Sequence, residues 1–93
     1  MATPHVSPYT VFTLAAARRQ LAQLRKTHNP NLTNIVAAIR SLADIPRPLR
    51  SSKLADRDGL RLRVGHYRIL YSVDDNRRTV TIIAIGHRRE VYR

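Results

Sequence analysis

The stretch GLRLRVGHYRILYSVD, residues 59 to 74, admits few folds. Leu60, Leu62 and Val64 alternate with Arg61 and Arg63, which is the period of a strand buried on one face only. Gly65-His66 reads as a two-residue turn of type II′, with glycine at the position that needs a positive φ. Such a turn sets the register, so Val64 should oppose Tyr67, Arg63 should oppose Arg68, and Leu62 should oppose Ile69. One face then carries Leu60, Leu62, Val64, Tyr67, Ile69 and Tyr71. The other carries Arg61, Arg63, Arg68, Leu70 and Ser72. Like charges directly opposite each other destabilise a sheet by roughly 0.2–1 kcal/mol. A bound phosphate would reverse the sign of that interaction.

The apolar face needs a cover, and the N-terminal half supplies one. Leu14, Ala17, Leu21 and Leu24 recur at steps of three and four, predicting an amphipathic helix from Leu14 to Lys26 with Thr13 as its N-cap. His28-Asn29-Pro30 breaks it. Asn29 is expected to cap a second helix, with Pro30 in its first turn and Leu32, Ile35, Val36, Ile39 and Leu42 as its stripe. Pro46 and Pro48 stop that helix, and residues 44 to 58 read as a linking loop. Tyr9 to Phe12 is a short β-prone run, DDNRR is a turn, and Thr79 to Ile85 is a β-branched, buried strand ended by Gly86. The expected class is α+β: an antiparallel sheet of about four strands backed by an N-terminal helical hairpin, in the order β-α-α-β-β-β. Residues 1–93 form a single domain in this reading, since the length suits one modest core and not two.

Charge narrows the partners. Seventeen Lys+Arg against six Asp+Glu give a formal charge of +11. Lys26 and Lys53 are the only lysines, so fifteen of the seventeen cations are arginines, the group suited to bidentate phosphate contacts. The partner is expected to be a polyanion, an acidic protein, or both. The chain has no cysteine, which excludes disulfides and thiolate metal sites. His5 and His28 fall in loops, and the four histidines show no metal-ligand spacing, so neither metal nor cofactor is expected. No segment is long enough to span a bilayer, and the expected location is cytoplasmic.

The segment KLADRDGLRLRVGHYRILYSVDDNRRTVTIIAIGHRREVYR resembles the second half of RelE/ParE-superfamily toxins, in particular the RelE-type mRNA interferases. The likeness rests on the K-L spacer, the basic strand, Y-R-I-L-Y and the G-H-R-x-x-V-Y ending. It implies a sheet backed by a helical hairpin, with the active site on the exposed concave face. It further implies a metal-independent endoribonuclease that cuts ribosome-bound mRNA in the A site through attack of the 2′-hydroxyl on the adjacent phosphate. Position by position, the family's basic strand residues fall on Arg61 and Arg63, its phosphate clamp on Arg68, its later basic residue on Arg88 and its terminal tyrosine on Tyr92. The resemblance also implies an acidic, RelB-like antitoxin as partner and a toxin that is monomeric alone. The superfamily's other branch, ParE-like toxins that poison DNA gyrase, is the alternative function, as is a degenerate toxin acting only in antitoxin-dependent repression.

Three of those five residues are already on one face by register alone. The chemistry calls for a cation at the developing phosphorane charge, a proton acceptor and a proton donor. Arginine serves the first and not the second, because it stays protonated up to a pKa above about 12. This chain has arginines where the best-known pattern has lysines. The base is therefore open among Tyr92, which neighbouring cations would favour as phenolate, His87 and His66. Tyr67 and Tyr71 are expected in the core, and Arg77, Arg78 and Arg89 as solvated charge.

Overall fold

The computed structural model describes residues 7–55 and 58–87. Strand β1 (Thr10–Thr13) leads into helix α1 (Ala15–Lys26) and helix α2 (Leu32–Ser41). Strands β2 (Ser51–Lys53), β3 (Leu60–Val64), β4 (Tyr67–Asp74) and β5 (Thr79–His87) follow. They make one sheet in the order β1-β5-β4-β3-β2. The expected α+β class holds, with a fifth strand added and with β1 running parallel to β5. Among the described residues no helix is long and apolar enough to cross a membrane.

The β3–β4 hairpin has the predicted register at every pair, from Val64 opposite Tyr67 to Leu60 opposite Tyr71. Its turn takes a positive φ at Gly65, +59°, as type II′ requires. β5 carries a bulge: Leu70 opposes Ala84 while Tyr71 opposes Ile82, which leaves Ile83 as the extra residue. The bulge has a packing consequence. Ile82 and Ile85, three apart, would point to opposite faces of a regular strand, yet both lie in the core at 0% and 1% exposure. Ala17 and Leu24 from α1, and Ile35, Ala38 and Ile39 from α2, close over this face together with Leu42. The amphipathic stripes read from the sequence are therefore what covers the Leu/Ile side of the hairpin.

Local boundaries differ from expectation for identifiable reasons. Thr13 is the last residue of β1, not a cap; Leu14 holds the N-cap position without a side-chain cap and is exposed, since the Leu14 N–H is used by the Ile82 carbonyl. Asn29 and Pro30 lie in the turn before α2, whose N-cap is Asn31. Asn29 Oδ1 accepts from the Asn31 backbone N–H at 2.8 Å, an Asx-type turn that postpones the helix. The 44–58 segment contains β2, three residues without apolar alternation that pair with β3 at the sheet edge. Gly86 does not end β5, which continues to His87 because β4 offers Arg68 and Tyr67 as partners.

A polar clasp joins three loops on the surface. Arg47 donates from Nη1 and Nη2 to Asp75 Oδ1 and Oδ2 at 3.1 and 3.0 Å, and the Tyr9 hydroxyl donates to Asp75 Oδ1 at 2.6 Å. Arg47 and Tyr9 together hold the Asp75 carboxyl below its usual range, and Asp75 in turn pushes the Tyr9 hydroxyl upward. A carboxylate depressed by folding adds stability above its unfolded pKa, and that contribution is lost as pH falls through the lower folded value. Asp75→Asn should therefore lower the melting temperature slightly at neutral pH and flatten its decline below about pH 4. Melting curves of both proteins across the acid range check this. Parallel curves of equal slope would show that the clasp does not couple to folding.

Candidate nucleic-acid interface

Strand parity builds the site. Residues of β3 and β4 that do not meet the helices project to the opposite face, and Arg61, Arg63 and Arg68 are all of that parity. Arg63 stands directly across from Arg68, and Arg61 across from Leu70. On the far side of β4, Arg68 opposes Gly86. Gly86 brings no side chain against Arg68 and is itself buried. Arg63 is exposed, while Arg61 and Arg68 are half-buried, and at Arg68 the burial reaches Nε of the guanidinium. Leu70, of the same parity, is only 4% exposed and stands apart from the main core.

The two candidate histidines come together, but on other ground. His87 opposes Tyr67, so its parity is that of the helix-covered side. His66, on the hairpin turn, stacks against His87 with ring centroids 6.1 Å apart and planes at 25°. Tyr67 meets the His87 ring edge-on at 5.8 Å, and the Tyr67 hydroxyl accepts from Asn29 Nδ2 at 2.9 Å. The structure thus groups Arg61, Arg63 and Arg68, and separately groups His66 and His87. Arg88 and Tyr92 lie outside the described residues. Among the described residues no group of His, Cys, Asp or Glu could hold a metal ion.

One positioning contact had no signal in the sequence. β1 pairs with β5 only as far as Ile82, so among the described residues the outer edge of β5 beyond that point has no strand neighbour. Gln20, on α1, covers it: Oε1 accepts from the Ile85 backbone N–H at 2.6 Å. The N–H of a buried residue would otherwise go unsatisfied next to the segment that faces Arg68. Periodicity alone reads Gln20 as another polar helix position.

Comparison with known proteins agrees with this architecture. The chain is 38% identical to toxin RelG of Mycobacterium tuberculosis, over 92% of this chain and 98% of that protein. Its fold is similar to that of the archaeal RelE–RelB complex from Pyrococcus horikoshii, with a TM-score of 0.73, 24% identity and coverage of 90% of this chain and 99% of the other. It is also similar to the toxin–antitoxin complex RelBE2 from Mycobacterium tuberculosis, with a TM-score of 0.62, 31% identity and coverage of 86% and 98%. The model of the ParE toxin of type II toxin–antitoxin systems matches residues 9–92. The chain, with its two helices laid over one face of a five-stranded sheet, belongs to that toxin family, within the RelE/ParE superfamily.

Proposed function

We propose that this toxin is a ribosome-dependent endoribonuclease that cuts mRNA by attack of a 2′-hydroxyl on the adjacent phosphate, and so inhibits translation. The observation that carries the reading is the pairing of Arg63 with Arg68 on the face turned away from the helices, with Arg61 beside them. A phosphate between two opposed guanidiniums offsets their like charge, and each guanidinium is suited to its oxygens. The charge of the phosphorane-like transition state exceeds that of the substrate, so the clamp binds it more tightly than the ground state. Arg88, one residue beyond β5, adds a further cation. We assign proton abstraction to Tyr92, because strand parity puts His87 on the helix side of the sheet and His66 stacks against His87. An acidic, RelB-like antitoxin is the proposed partner of the charged surface, consistent with the +11 balance.

Mapping of 3′ ends on translating ribosomes tests this reading. The full-length protein should leave a 2′,3′-cyclic phosphate, whereas a chain ending at Gly86 should bind antitoxin and cut nothing, because it lacks Arg88 and Tyr92 together. A 5′-phosphate formed directly would rule out attack by the 2′-hydroxyl. The matching model is that of a ParE toxin, which keeps gyrase poisoning as the second reading. Intact mRNA together with altered plasmid supercoiling on induction would select it.

A further inference from the structure

Phe12 is an aromatic side chain left 53% exposed on a strand whose backbone is held in the sheet. Its neighbour Val11 packs against the core, so Phe12 has the opposite parity. Register carries that parity across the sheet: Phe12 opposes Thr81 on β5, and Thr81 opposes Ser72 on β4. Ser72 lies on the same side as Leu70 and Arg68, so the exposed ring and the paired arginines share one surface. Two interstrand spacings and four residues of rise put Phe12 and Arg68 roughly 16 Å apart between Cα atoms. That separation is a few nucleotides of single strand.

We infer that Phe12 is a stacking platform for a base of single-stranded RNA whose phosphate is held by Arg63 and Arg68. The inference rests on the proposed reading of the arginine face and extends it to a second subsite. Surfaces that hold single strands combine a cationic track with aromatic rings, because every base has a π-face and every nucleotide a phosphate. The ring is presented by a strand paired to β5, so little freedom is lost when a base covers it. A protein partner would call for more: stable protein interfaces bury on the order of 1,200 Å² or more around an apolar centre. Among the described residues, the large apolar side chains exposed on or next to β1 are Phe12 and Leu14. One base needs one ring.

The chain contains no tryptophan, so Phe12→Trp installs a single tryptophan reporter at the platform, excited selectively over the tyrosines. The variant is titrated with a short single-stranded oligoribonucleotide and with an abasic strand of the same phosphate count, while anisotropy of labelled RNA reports binding independently. Emission should fall in step with RNA binding and stay constant with the abasic strand. Phe12→Ala should bind the RNA roughly tenfold or more weakly, and Phe12→Tyr should stay close to the parent. Unchanged melting temperatures verify that the exposed site tolerates all three replacements. Emission indifferent to RNA overturns the inference, whether or not anisotropy detects binding. So does emission that responds to an acidic peptide and not to RNA, which would make this edge a protein surface. The ribosome cleavage assay fails or succeeds separately: quenching without cleavage removes the proposed reaction and keeps the platform, and cleavage without quenching does the reverse.

Discussion

Arg68→Ala is expected to abolish growth arrest and to lower mRNA cleavage by at least about a hundredfold, the effect of removing one cation or donor aimed at a developing oxyanion. The fold should survive. Arg68 contributes no side chain to the main core cluster, and its removal relieves the like-charge opposition to Arg63, worth roughly 0.2–1 kcal/mol. Arg68→Lys should recover only part of the activity, because an ammonium supplies charge without a planar pair of donors. Growth curves after induction, cleavage on translating ribosomes and thermal melting measure the three quantities. A variant that arrests growth as well as the parent, at an unchanged melting temperature, would show that the paired arginines are not the working surface.

The largest stability effect is expected at Tyr71. Its ring is fully buried at the centre of β4, and its hydroxyl donates to the Pro46 carbonyl at 2.8 Å, anchoring the proline loop to the sheet. Burial pushes the Tyr71 hydroxyl upward in pKa, so it stays a donor across the neutral range. Tyr71→Ala should cost about 3–5 kcal/mol, the range for truncating a buried aromatic side chain. A domain of this size has roughly 5–14 kcal/mol in total, so the variant should lie near its unfolding threshold at 37 °C. Tyr71→Phe keeps the packing and gives up one hydrogen bond, a loss of about 1 kcal/mol. Denaturant titrations of the pair separate packing from hydrogen bonding. Similar losses for both would mean that the tie to Pro46, and not the ring, holds this region.

Local chemistry in the sequence was enough for the hairpin. Gly65 admits one kind of tight turn, that turn admits one register, and a period of two then assigns Arg61, Arg63 and Arg68 to one side without reference to anything distant. The helix stripes were legible for the same reason, since a period of 3.6 is a local property. Tertiary structure decided what local patterns do not encode. The parallel pairing of β1 with β5 joins residues about seventy positions apart, and only that pairing brings Phe12 onto the arginine face. The bulge at Ile83 exists because Ile82 and Ile85 must both enter one core, a demand made by the helices above them. β2 is a strand because β3 presents an edge to three residues with no strand pattern of their own. His87, one of the candidate bases, directly follows Gly86 and is still part of β5. Its pairing with Tyr67 then places it across the sheet, because adjacent residues of a strand face opposite ways.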